Sequence, residues 1–131
     1  MANGNKRSYL EHTWRLLQVT YALLFLAAGL DKFFNFVTLW HMYVSPLVAR
    51  LLPVTIPAFM GTVGVLEIAI GILLCTRWVK VGAYAAAVWM LAIALNLVTI
   101  GIFYDIAVRD IVIAMGAVAL ARLSVLTNNG K

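Results

Sequence analysis

Charge is scarce in this sequence: of 131 residues only 11% are Asp, Glu, Lys or Arg, while 64% are hydrophobic. A soluble domain of this size carries roughly 25% charged residues. So few charges cannot cover a water-exposed surface, and the solvent this chain is built for is lipid. Cysteine is nearly absent as well. The lone Cys75 excludes an internal disulfide and any CxxC redox pair. With only two histidines beside it, a metal site is not expected. His12 precedes the first apolar run and His41 falls between runs, so an intramembrane haem lacks a pair of axial histidines. There is no glycine-rich phosphate loop and no Ser-His-Asp set. The net charge of +5 comes from basic residues that flank apolar runs rather than from a cluster. It therefore speaks of orientation in a membrane, and a nucleic-acid partner is not expected.

What the chain does have is long apolar runs. A spanning helix needs about 20 mostly apolar residues, because each adds about 1.5 Å across a core of about 30 Å. Four segments qualify, at about 14–36, 57–75, 79–104 and 106–126. The polar start from Met1 to Arg15 and the length of the first run argue against a cleaved signal peptide. The expected fold is all-α, a single transmembrane domain built as a four-helix bundle. Residues 37–56 are too short to span and too apolar for an ordinary loop. Ser45-Pro46 there reads as an N-cap followed by proline at the first helical position. A short interfacial helix between the first and second spans is expected, with an irregular apolar loop as the alternative. The polar end from Thr127 to Lys131 is expected to be loose.

Orientation follows from the basic residues. Lys6, Arg7, Arg15, Arg77, Lys80, Arg122 and Lys131 fall on one side, Lys32, Arg50 and Arg109 on the other. That asymmetry places both termini in the cytoplasm, and a bacterial cytoplasmic membrane is the expected location. Trp40, Tyr43 and Tyr104 then fit an outer aromatic belt, and Trp14 and Trp78 an inner one.

The candidate site lies where polar groups enter the spans. Glu67 sits about ten residues into the second span, near the midplane. A lone carboxylate in hydrocarbon is costly, so it should face protein. Gly61, Gly64 and Gly71 share its helix face and permit close packing there. The other polar groups gather in the outer half: Asp31 and Lys32 end the first span, Asn96 lies about two turns below the end of the third, and Asp105, Arg109 and Asp110 open the fourth. Asp110, Ala114, Ala117 and Ala121 form a second small-residue stripe, which aims Asp110 inward. Glu67, Lys32 and Asp110 are therefore candidates for a buried catalytic network, with Arg109, Asn96 and Asp31 as candidate ligand-binding groups. Lys32 is expected within reach of Glu67 or Asp110, beneath residues 37–56. For Asp105 and Arg50, snorkelling to headgroups is the favoured reading. Phe33, Phe34, Phe36, Trp89 and Phe103 are candidates to line a quinone pocket, although aromatics at helical spacing more often simply pack.

These residues carry a family resemblance. The run Leu24-Phe25-Leu26-Ala27-Ala28-Gly29-Leu30-Asp31-Lys32-Phe33, the run Gly64-Val65-Leu66-Glu67-Ile68-Ala69-Ile70-Gly71, and Arg109-Asp110 together resemble the DoxX-like family of small bacterial four-helix membrane proteins. Gly-x-x-Lys-Phe and Gly-x-x-Glu-x-x-x-Gly are the more specific elements. Of the family's closing element the chain keeps Arg122-Leu123-Ser124 but not the accompanying glycines and acid. The family takes its name from a subunit of a thiosulfate:quinone oxidoreductase. The resemblance thus implies a redox-linked, quinone-associated subunit or accessory, rather than a free-standing enzyme. It also implies a protein partner or a homo-oligomer in the bilayer. The competing expectations are a small proton-coupled transporter and a purely structural membrane subunit.

Overall fold

The computed structural model describes residues 2–128. Its first element, α1, runs from Ala2 to Phe34 over 33 residues. It begins well before the apolar span. Apart from half-buried Trp14, residues 2–15 are exposed, and Arg7 and Glu11 pair one turn apart at 3.8 Å. Once the span has nucleated a helix, adding polar turns at its end costs little, so His12 lies within the helix and not before it. At the other end Asn35 takes a left-handed conformation at φ 53° and stops α1. Asn is among the few residues that tolerate this region.

The connection that follows contains a 3₁₀ turn at Trp40–Tyr43 and a short helix, α2, at Pro46–Leu51. The Ser45 hydroxyl accepts from the Val48 N–H at 3.1 Å, so the expected cap and interfacial helix are present. Next come α3 at Ile56–Cys75, α4 at Val79–Ile100 and α5 at Tyr104–Asn128. The third span thus ends four residues earlier than its apolar run, because Gly101 adopts φ 88° and closes α4 with a left-handed cap. The fourth begins at Tyr104 and continues without interruption past Arg109 and Asp110. Thr127 extends α5 instead of opening a loose tail, and residues 129–131 lie outside the described residues.

Four of these helices are long and apolar enough to cross a membrane. Large apolar side chains such as Leu23, Val65, Ile72, Val88, Leu95 and Val112 face outward, each more than half exposed. A soluble surface rarely carries so continuous an apolar covering, and lipid accounts for it. The chain is a multi-pass membrane bundle.

The bundle is two tightly packed pairs, α1 with α3 and α4 with α5, joined along looser seams. Glycine sets the first pair. A Cβ on Gly29 would stand 2.8 Å from the Gly64 carbonyl oxygen, backbone against backbone. Alanine sets the second: Ala83, Ala86, Ala87 and Ala94 of α4 and Ala107, Ala114, Ala117 and Ala121 of α5 are all buried. In the half nearer the termini two polar side chains are spent on backbone carbonyls, and the Trp14 indole N–H is buried without a partner among the described residues. Gln18 Nε2 donates to the Leu74 oxygen at 2.8 Å, and the Tyr21 hydroxyl to the Ile113 oxygen at 2.6 Å. Tyr21 fits only because residue 116 is glycine; a Cβ there would collide with its hydroxyl.

Candidate functional site

At the opposite end, under the connection, the helices part around a cavity of about 500 Å³. Every spanning helix contributes: Lys32 from α1, Met60 and Val63 from α3, Trp89, Ile93 and Asn96 from α4, and Ile106, Arg109 and Asp110 from α5. Trp40, Tyr43 and Val48 of the connection complete it.

Lys32 stands in the cavity wall, and Glu67, which is buried and does not line the cavity, pairs with it. The small face of α3 brings α1 so close that the lysine stem starts beside Gly64. Its Nζ then lies 2.6 Å from Glu67 Oε2, with both side chains only 4% exposed. Lys32 therefore does not snorkel. Two further groups complete the pair. Trp89 Nε1 donates to Glu67 Oε1 at 3.1 Å, and Nζ rests 3.7 Å from the centre of the Trp40 ring. An ammonium has three hydrogens. Glu67 takes one and the indole face another, which leaves one without a contact among the described residues.

A second pair sits on α5. Arg109 Nη2 lies 3.2 Å from Asp110 Oδ1; the arginine side chain is 65% exposed and the aspartate 3%. Residues one apart point about 100° from each other, and the long guanidinium stem spans that angle. Asp110, Ala114, Ala117 and Ala121 all face inward as the stripe predicts. Asp110 and Lys32 line the same cavity, so the two pairs face one space.

Two of the sequence candidates do other work. Asp31 does not line the cavity. Its carboxylate accepts from the backbone N–H groups of Phe36 at 2.8 Å and Val37 at 3.1 Å, and from Trp40 Nε1 at 2.8 Å. An acidic side chain near a helix C-terminus reads as a loose charge in sequence; here the αL turn at Asn35 swings the following N–H groups onto it. Asn96 lines the cavity, and its amide ties the connection to α4 while one N–H remains without a hydrogen bond among the described residues. Nδ2 donates to the Tyr43 carbonyl and Oδ1 accepts from the Ser45 N–H at 3.1 Å. Both residues hold the roof: Asp31 fixes where the connection leaves α1, and Asn96 ties its middle to α4.

The aromatics are redistributed too. Of the five candidates for a quinone pocket, only Trp89 lines the cavity. Phe33, Phe34 and Phe36 are exposed, the last two stacked on each other, and Phe103 packs on Tyr43 at 4.9 Å between ring centres. Trp40 and Tyr43 turn inward and leave the outer belt to Tyr104. No periodic signal marks Trp40, because the turn that aims it is set by Asn35 and Asp31. Arg50 and Asp105 are exposed at the ends of their helices, as boundary charges should be. Among the described residues no three His, Cys, Asp or Glu side chains come together as metal ligands.

Comparisons with protein-family models, curated proteins and solved structures gave no match. The likeness to the DoxX-like family rests on the short motifs alone, and the residues in them are those of the α1–α3 crossing and the two ion pairs.

Proposed function

We propose that this chain is a DoxX-like, redox-linked accessory of a membrane complex, which holds a quinone in the cavity beneath the connection. The observation that carries the reading is the lining of that cavity: aromatic and aliphatic walls around one buried ammonium with a hydrogen to spare. Its volume suits a small ligand, since such pockets run from about 300 to 1,000 Å³. Its charges are already matched, Lys32 by Glu67 and Arg109 by Asp110. A neutral ring with carbonyl acceptors fits such a lining better than an ion does. Electrons would come from the partner; the chain supplies position and a dry, cation-bearing wall. Proton-coupled transport is less well supported, because Gln18 and Tyr21 in the termini half are committed to backbone carbonyls. The self-contained ion pairs favour one rival, a structural subunit.

Titration of the purified protein with a tail-less methoxy-substituted benzoquinone tests the reading. Trp40 and Trp89 line the cavity, so saturable quenching of tryptophan fluorescence is expected, reduced when either is replaced by Phe and lost when both are. Absence of saturable quenching, with a stable partner still retained from native membranes, leaves the structural subunit. The orientation proposed with it is termini in the cytoplasm of a bacterial cell, cavity towards the outer face. Reporter fusions in the loop at Arg77 and after α5 should both read cytoplasmic, and a periplasmic reading at either overturns that topology.

A further inference from the structure

A second hollow lies on the bundle. It is a groove along the seam between α3 and α4, formed by Leu66, Ala69 and Leu73 on one side and by Val81, Ala85 and Val88 on the other. No polar atom lines it, and its residues lie further towards the termini end than those of the cavity. The seam is one of the looser junctions of the bundle, which leaves room for the groove. Its decisive feature is Trp89, which belongs to the wall of both the cavity and the groove. The indole N–H holds buried Glu67 Oε1, and the apolar ring of the same side chain stands in the wall of the groove. A polar chamber and an apolar trough therefore meet at one side chain, at the level of the buried ion pair.

We infer that the cavity's ligand is an amphiphile carrying a linear hydrocarbon tail, that the tail leaves along the α3–α4 groove into lipid, and that Trp89 partitions head from tail. This rests on the reading of the cavity as a ligand site and adds the ligand's shape and route. The cavity and the groove are separated by no more than the Trp89 side chain, so a tail that passes this ring moves directly from one to the other. A tailed ligand needs an exit that keeps hydrocarbon away from the buried ion pair, and the exit must be apolar throughout. The indole suits the junction, with an apolar body on one side and a polar edge on the other.

The test compares two probes on the purified full chain in nanodiscs: the tail-less benzoquinone and the same ring carrying an alkyl tail of about ten carbons. Ala69 and Ala85 line the groove and not the cavity, so Ala69→Phe and Ala85→Phe each fill the trough and leave the head site intact. Ala69 faces lipid, which protects folding in that variant. Expected is a loss of about tenfold in affinity for the tailed quinone in both variants, with the tail-less one within about twofold of wild type. If both probes bind and neither variant discriminates between them, the tail route is wrong and the head site stands. If neither probe binds the wild-type protein, the cavity reading fails and takes the inference with it. A photoreactive group at the tail end should label Leu73 or Val81. Labelling of the same residues from a phospholipid chain, undiminished by the tailed quinone, gives the groove to bulk lipid and overturns the inference.

Discussion

The two halves of this bundle solve the same problem in different ways. Towards the termini, helices touch through alanines and through Leu74 and Leu120, which are fully buried, and Gln18 and Tyr21 are quenched by backbone carbonyls while the Trp14 indole N–H is buried without a partner among the described residues. Towards the connection, Lys32, Trp89 and Asp110 line a space that stays open between the helices, although Gly29 and Gly64 still bring α1 against α3. Lipid tails are as apolar as leucine, so membrane helices gain little from hydrophobic contact with one another. Close packing and internal hydrogen bonds must do the joining. The termini half combines both, close alanine packing with the bonds of Gln18 and Tyr21, whereas the cavity half adds a buried ion pair and its hydrogen bonds to the Gly29–Gly64 contact. A polar network in low dielectric is worth keeping only when complete, so the cavity half should be the more fragile of the two and the more functional.

The largest effect is expected from breaking that network. Lys32→Met leaves Glu67 buried without its cation, and such losses run to about 3–5 kcal/mol. Lys32→Met combined with Glu67→Met removes both charges and should recover most of the stability while still abolishing quinone binding. Unfolding by a denaturing detergent measures it. A double variant no better than the single one would falsify the ion pair as the source of the loss. In the dry half, Ala117→Leu overpacks a site with no exposure, at a cost of roughly 1–3 kcal/mol. Affinity for the tail-less quinone should stay within about twofold, and a parallel collapse of binding would erase the distinction between the halves. The smallest change in stability is expected from Asn96→Ala. It removes two hydrogen bonds to the roof, about 1–2 kcal/mol together, yet quinone affinity should fall about tenfold because the roof is no longer tied to α4. Equal thermal stability with unchanged affinity would show that the roof does not shape the site.

This division also decides what the sequence discloses. Spans are legible because lipid imposes one strong rule on composition, and Ser45-Pro46 is legible because capping chemistry is local. Glu67 declares itself as a carboxylate in an apolar run, and Gly64 and Gly71 beside it disclose the face. The meeting of Lys32 with Glu67 follows from shared depth alone. Less visible are groups whose role depends on a turn. Asp31 reads as a ligand candidate until Asn35 turns left-handed and delivers three donors to it. Trp40 reads as belt for the same reason. The early start of α1 escapes a hydropathy argument altogether, since residues 2–15 are helical in spite of being polar. Gly101 announces a helix end that the apolar Ile102 and Phe103 conceal.

The reach of the contacts across the chain sets an order of assembly. Lys32 is made 35 residues before Glu67, and Ser45 is made 51 residues before the Asn96 that pins it. At about 5–20 residues per second, the second interval is roughly 3–10 s of synthesis. During it the first span waits in the bilayer beside an unanchored connection, its lysine matched only once α3 has emerged. The hairpin of α1 and α3 is then the first self-sufficient piece, with glycines engaged and charges balanced. The α4–α5 pair docks onto it later, and the cavity is the last feature to exist. A chain truncated just after α3 should therefore insert stably, whereas one truncated before Glu67 should be retained by the insertion machinery or degraded.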